Sequence, residues 1–264
     1  MRYIRRRHIY FLISFLATLL VAFNYNYLDS AITGFLIDRD TAKVERIIDG
    51  DTIVVDSGDK IRLLGINTPE KGEEYYADAK EFLEGLILNK TVEVEYGKSK
   101  KDRYGRTLGY IFLNGKNINQ KLIEEGFANA YFPSGKDFYY DNFNEAWKEC
   151  IKNNIKLCKS SEDICRECII LKEFDYEGEI MVLRNSCNID CNLTGWNIKD
   201  EGRKKFIFNN FILKPEREVD IIVGNGTNTS ERIYWTGEEY VWTSTGDTMF
   251  LRDSKGGLVL WENY

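Results

Sequence analysis

Apolar and polar positions along the chain mark out four regions. Ile9 to Phe23 is almost unbroken apolar sequence behind a cluster of Arg2, Arg5, Arg6 and Arg7. From Ala42 onward the pattern alternates. Ala42–Asp49 and Asp51–Asp56 read as two strands joined through Gly50, Ser57-Gly-Asp59 as a turn, and Lys60–Ile66 as a third strand. Alternation puts Ile61, Leu63 and Gly65 on one face of that strand and Arg62 and Leu64 on the other. Pro69 then ends it, because proline cannot donate to a ladder, and Glu70 falls on a loop beside the strand ends. Tyr76, Ala79, Phe82, Leu83, Leu86 and Ile87 recur at helical spacing and predict a helix over Glu73–Leu88. Thr91–Tyr96 alternates as a strand, Gly97–Arg106 reads as a basic loop, and Thr107–Leu113 as a strand ending at the Asn114-Gly115 turn. Ile118–Glu125 is a helix, Tyr131–Lys136 a loop, and Asp137–Leu157 a third helix with Phe143, Ala146, Trp147, Ile151 and Ile155 inward.

The pattern changes after Lys159–Glu167, a charged linker. Short strand-like runs follow at Ile169–Phe174, Ile180–Leu183, Trp196–Ile198, Phe206–Phe208, Val219–Val223, Thr248–Leu251 and Leu258–Trp261, with turn residues between them and no convincing helix. That spacing predicts an all-β sandwich. Trp235, Trp242 and Trp261 are read as core packing ahead of a binding face.

The N-terminal run has the charged and apolar regions of a secretory leader. Fifteen helical residues rise roughly 22 Å, short of a ~30 Å hydrocarbon core, but residues 24–28 can extend the run with two interfacial tyrosines. An uncleaved anchor over residues 9–28 is preferred to a cleaved signal. Either way the chain beyond it is expected outside the cytoplasmic membrane, membrane-anchored with the N-terminus inside, or secreted.

Charge narrows the chemistry. The chain has 36 Lys+Arg against 42 Asp+Glu, a net charge of −6, so any affinity for an anionic substrate must come from local cations. The lone histidine is His8; histidine-based nucleases, histidine-ligated zinc and Ser-His-Asp triads are excluded from the rest of the chain. What remains is a set of carboxylates and guanidiniums: Asp49-Gly-Asp51-Thr52, Arg62, Glu70 and Asp102-Arg-Tyr-Gly-Arg106. Attack on a phosphodiester builds negative charge that a site must clamp while orienting a water and taking its proton. Arg62 and Arg106 offer planar forks to phosphate oxygens. Asp51 is a hard oxygen ligand suited to Ca²⁺ or Mg²⁺, and Glu70 is the candidate general base. Lys100, Lys101 and Arg103 are candidate contacts to the nucleic-acid backbone, with Tyr104 and Tyr131 available to stack on bases.

At these residues, and along Arg62-Leu-Leu-Gly-Ile66, Thr68-Pro69-Glu70 and Asn119–Ala128, the chain resembles the staphylococcal (thermonuclease-type) nuclease family, from Val44 to about Cys158. The resemblance implies an OB-fold barrel with helices and Ca²⁺-dependent cleavage of DNA and RNA. By position it implies that Asp51 and the Thr68 carbonyl ligate Ca²⁺, with Asp49 beside the metal, Glu70 acting on the water, and Arg62 and Arg106 on the phosphate. In one respect the chain departs from the family: the second carboxylate ligand falls at Asn67, an amide. In the second half, Leu193-Thr-Gly-Trp196-Asn-Ile-Lys-Asp200, Thr245-Gly-Asp-Thr248, Leu251-Arg-Asp253 and Gly256-Gly257 resemble a lamin-tail domain, which implies an immunoglobulin-like sandwich that binds or anchors an unidentified ligand.

The resulting plan is an N-terminal segment 1–39, a nuclease domain 40–158, a linker 159–167 and a β-sandwich 168–264. The function this implies is an exported or anchored Ca²⁺-dependent endonuclease acting on DNA, RNA or both. The alternative is a catalytically inactive protein on the same folds that binds nucleic acid or anchors to a surface. Six cysteines (Cys150, Cys158, Cys165, Cys168, Cys187 and Cys191) cluster at the junction; an even number in an exported chain suggests disulfides ahead of zinc or free thiols. Cys150 and Cys158 are too far apart to pair if the third helix runs on between them.

Overall fold

The computed structural model describes residues 39–264, together with Tyr10, Ser14, Phe15 and Thr18. The leader or anchor expected over residues 9–28 therefore lies almost wholly outside the described residues. Among those described, no helix is long and apolar enough to cross a membrane. Residues 41–264 form one compact unit.

The first half of that unit is a closed barrel. Strands β1 (Asp40–Asp49), β2 (Thr52–Val55) and β3 (Lys60–Leu63) form an antiparallel meander. Short β4 (Gly65–Asn67) leads to helix α1 (Tyr76–Ile87), after which β5 (Thr91–Lys101) and β6 (Thr107–Leu113) form a hairpin. The order β3-β2-β1-β5-β6 closes where β6 pairs in parallel with β3, Arg62 opposite Leu108. β7 (Lys116–Asn117), α2 (Ile118–Glu124), β8 (Asn129–Tyr131) and α3 (Tyr140–Asn153) complete this half. The predicted inward face of α1 holds: Ala79, Leu83 and Ile87 are buried.

Three elements differ from the sequence pattern. Lys60–Ile66 is not continuous; it breaks at Leu64, and Gly65 takes φ +73° so that β4 can turn away and pair with β8. A Cβ on Gly65 would lie 2.7 Å from the Phe143 ring, so only glycine permits this packing. The basic loop is shorter than expected, because β5 continues to Lys101 on an exposed hairpin arm where side-chain alternation carries no burial signal. Helix α3 stops at Asn153. Asn154 adopts a left-handed φ of 54°, and the chain returns through a 3₁₀ turn at Lys156–Cys158. That reversal brings the Cα atoms of Cys150 and Cys158 to 5.7 Å, and the two are bonded. The helix that would have kept them apart does not persist.

The second half is a β-sandwich. Its strands are β9 (Ile169–Asp175), β10 (Ile180–Asn185), β11 (Cys191–Asn192), β12 (Asn197–Lys199), β13 (Lys205–Ile207), β14 (Ile212–Leu213), β15 (Glu218–Val223), β16 (Arg232–Trp235), β17 (Thr248–Arg252) and β18 (Leu258–Asn263). One sheet has the order β16-β15-β10-β9 and the other β13-β12-β17-β18, with β11 and β14 as a separate pair. Met181, Leu183, Val219 and Ile221 of the first sheet meet Ile198, Met249 and Leu251 of the second in one core. β16, which pairs in parallel with β15, and the two-residue strands β11 and β14 are not among the runs expected from the sequence. Trp235 and Trp242 are buried, as core packing requires. Disulfides Cys165–Cys191 and Cys168–Cys187 tie the entry of the sandwich, so all six cysteines are bonded and the zinc and free-thiol alternatives do not hold.

The two halves share a packed, polar-bonded interface. Trp147 of α3 meets Phe250 edge-on at 5.3 Å and Trp261 at 6.5 Å. The charged stretch 159–167 is no free linker: Ser161 is buried, its amide bonds the Leu258 carbonyl, and its hydroxyl donates to Asp253.

Candidate active site

The site begins at the β1–β2 corner. Gly50 lets the corner pack: a Cβ there would lie 2.9 Å from both Ala79 and the Thr68 hydroxyl. The register of β2 on β3 sets Thr52 opposite Arg62, which brings Arg62 beside Asp51. Arg62 Nη2 lies 3.0 Å from Asp51 Oδ2. The same carboxylate oxygen accepts from the Thr68 amide at 3.3 Å and hydroxyl at 3.0 Å, and Asp51 Oδ1 accepts from Thr52 Oγ1 at 3.0 Å. Arg62 is only 7% exposed and also donates to the Leu63 and Ile66 carbonyls at 2.6 and 2.9 Å. It is held inside the wall of the site rather than on its surface. Asp49 bonds the Asp51 amide at 3.1 Å, and burial together with the Asp51 charge pushes its carboxyl above the usual range.

Asn67 is buried here as well. Its Oδ1 faces Arg62 Nη2 at 3.5 Å, and its Nδ2 donates to the Gly202 carbonyl of the sandwich at 2.8 Å. A carboxylate at this position could not make that second bond, which gives the amide a physical reason. Asp51, the Asn67 amide oxygen and the Thr68 carbonyl are hard oxygen donors of the kind a Ca²⁺ or Mg²⁺ ion takes. Asp49 and Asp51 are neighbouring acids, and burial first and the Asp51 charge second raise the Asp49 carboxyl, so a cation placed here would relieve their repulsion. Among the described residues no group of three His, Cys, Asp or Glu forms a metal cluster; a site here would rest on one carboxylate with neutral oxygens.

Glu70 stands just beyond this network, half-exposed on its loop. Its amide bonds Glu73 Oε2 at 2.9 Å, and its carboxylate pairs with Arg203 of the sandwich at 2.7 Å. Arg106 immediately precedes β6. Because Ile61 and Arg62 lie opposite Thr107 and Leu108, the period of two directs Arg62 and Arg106 to the same side of the sheet. Asp102 Oδ2 accepts from Arg106 Nε at 2.7 Å and so orients the guanidinium. Burial opposes the ionised form of Asp102, but the Arg106 side chain and the Arg106 and Tyr104 amides prevail and hold its carboxyl below the usual range. Arg103 and Arg106 lie over the exposed Tyr104 ring at 4.8 and 5.5 Å, and Lys100 and Lys101 are exposed on the same hairpin arm. Tyr131 is half-buried against Gly202. The structure thus brings Asp49, Asp51, Arg62, Asn67 and Thr68 into one bonded network. Glu70 lies at its edge, and Arg106 with the basic arm forms a separate group on the adjoining strand.

Sequence reasoning missed the contribution of the sandwich. Residues 200–203 sit on the rim of the site, and behind them lies a carboxylate cluster. Burial, then the Asp247 charge, raises Asp200 to about 7 and Glu201 to about 8; burial raises Asp247 to about 6. Since these folded pKa values exceed the unfolded ones, the folded state binds extra protons between them. Stability is then lost as pH rises through the folded values. From pH 6 to pH 9, Glu201 alone should cost on the order of 2 kcal/mol, a Tm drop of roughly 5 °C. Thermal melts across that range check this, and Glu201→Gln should flatten the slope; an unchanged slope would show that Glu201 does not titrate there.

A family model described as Staphylococcal nuclease homologue matches residues 60–159, and one described as Lamin Tail Domain matches residues 166–264. The thermonuclease of Staphylococcus hyicus is 39% identical over 129 residues, spanning 45% of this chain and 76% of its own length. That of Staphylococcus intermedius is 37% identical over 123 residues, spanning 43% and 73%. A protein of Escherichia coli described as an uncharacterized endonuclease is 41% identical over 93 residues, spanning 34% of this chain and 60% of the relative. The chain belongs to the staphylococcal nuclease homologue family and carries a lamin-tail domain behind its nuclease barrel.

Proposed function

We propose that the protein is an endonuclease that hydrolyses phosphodiester bonds of DNA or RNA, uses a divalent cation, preferably Ca²⁺, and works outside the cytoplasmic membrane. The observation that carries the reading is the bonded set Asp51–Arg62–Asn67–Thr68, with Glu70 at its open edge. Arg106, oriented by Asp102, offers a fork to the phosphate. Glu70 takes a proton from the attacking water, and Arg62 braces Asp51 and the Leu63–Ile66 backbone in place. Asp51, Asn67 Oδ1 and the Thr68 carbonyl would hold the cation, which would supply positive charge beside the phosphate. The likeness to proteins named thermonuclease supports the reaction class. Proposed domain limits are 40–158 for the nuclease and 168–264 for the lamin-tail domain.

The test uses the full chain with plasmid and single-stranded DNA. Cleavage should appear with Ca²⁺, be weaker or absent with Mg²⁺, and vanish in EDTA; undiminished cleavage in EDTA would remove the cation from the mechanism. Three disulfides support an oxidising compartment. Protease added to intact cells should therefore reach residues 40–264, and full protection until lysis would contradict the location.

A further inference from the structure

The loop 200–203 is anchored to the nuclease half by its backbone and by one buried carboxylate. Asn67 Nδ2 donates to the Gly202 carbonyl at 2.8 Å, and Asn129 Nδ2 to the Glu201 carbonyl at 2.9 Å. Glu201 Oε1 accepts from the Phe132 amide at 2.9 Å. Gly202 is buried beside Tyr131, close enough that an added Cβ would stand 3.4 Å from the ring. The next residue behaves differently. The Arg203 side chain is 64% exposed, and its Nε lies 2.7 Å from Oε1 of Glu70, itself 45% exposed. A rigidly held backbone therefore presents an exposed guanidinium to the carboxylate at the open edge of the site.

We propose that Arg203 is a substrate-contacting residue of the nuclease site, supplied by the lamin-tail domain: it pairs with Glu70 in the free protein and transfers its fork to a phosphate oxygen of bound nucleic acid. The inference rests on the nuclease reading above and adds a third arginine to it. An ion pair this exposed is weakly held, so a phosphodiester can displace one of its members. A guanidinium serves either acceptor, because carboxylate and phosphate oxygens match its donor spacing. The exchange also releases Glu70 to the attacking water at the moment the substrate arrives. It explains why a chain of net charge −6 can hold a polyanion: the cation comes from the second domain, next to the site. Neighbouring Lys199 and Lys205 both lie near Glu73, at 3.4 and 3.7 Å, so they neutralise an acid that would otherwise repel the phosphate.

The experiment measures binding of a labelled single-stranded DNA oligonucleotide to the full chain in EDTA across a KCl titration, alongside kcat and KM with Ca²⁺. Arg203→Ala should weaken binding roughly 5- to 100-fold and lower the magnitude of the log–log salt slope by about 0.7, the loss of one phosphate contact on a single strand. Its KM should rise by a similar factor. Arg203→Lys keeps the charge and should restore the slope. Unchanged affinity and slope in Arg203→Ala would overturn the proposal, as would a rise in kcat, which would mean that Arg203 only blocks Glu70. If the wild-type chain binds but never cleaves, the nuclease reading fails while the slope still decides the role of Arg203. If the wild-type chain neither binds in EDTA nor cleaves with Ca²⁺, both fail.

Discussion

Glu70→Gln should lower kcat by at least roughly 10²-fold while leaving the fold intact. The substitution keeps the shape and removes the basic oxygen, so it isolates proton transfer from packing. Glu70 is half-exposed, and its amide, not its side chain, makes the bond to Glu73; little stability is at stake. Losing one group that acts in the transition state costs about 10²–10³ in rate. Arg106→Ala should fall in the same range, since its guanidinium is also surface-accessible and held by Asp102. Arg62→Ala would be harder to interpret. It would strand the buried Asp51 carboxylate without its cation, and breaking such a pair costs about 3–5 kcal/mol. Activity assays paired with circular dichroism separate the cases. A Glu70→Gln protein that cleaves at the wild-type rate would assign the base elsewhere.

The second large effect concerns stability. Trp147→Ala should destabilise the protein by about 3–5 kcal/mol, the usual cost of removing a fully buried large aromatic side chain. Trp147 is 2% exposed, and its neighbours Phe250 and Trp261 come from the lamin-tail domain. Phe250 and Leu258 belong to the same apolar core as the barrel. The wild-type chain should therefore unfold in one transition, and the substitution should shift signals from both halves together. Denaturant titration followed by tryptophan fluorescence and far-ultraviolet circular dichroism reads this. Two separate transitions, with the second unmoved by Trp147→Ala, would show that the halves are energetically independent.

These two outcomes bear on how the domains relate. A lamin-tail domain on a flexible tether would act as an address for the nuclease. Here it shares a core with the nuclease and lays a loop on the rim of its site. The deeply buried Asn67 amide, whose nitrogen is bonded to a residue 135 positions away, is intelligible only with both domains in place.

Local pattern determined a great deal on its own. Period-two alternation in Thr91–Tyr96 and the 3.6 spacing of Ala79, Leu83 and Ile87 produced elements that form, because burial of one face is a strong and periodic signal. The residue types Asp51, Arg62, Glu70 and Arg106, in a chain whose lone histidine is at position 8, pointed to phosphodiester chemistry, because such groups can clamp that charge and take that proton. Tertiary structure decided the rest. The end of α3 at Asn153, which lets Cys150 meet Cys158, depends on one left-handed residue and a turn rather than on any repeat. The break at Leu64 follows from Gly65 meeting Phe143 and Phe132, side chains well along the chain. Arg203 reaching Glu70 is a single pair of exposed charges between two domains, and such a contact leaves no period, no composition bias and no motif along the sequence. Repeated burial writes itself into the order of residues; a contact made once, across a fold, exists only when the fold has formed.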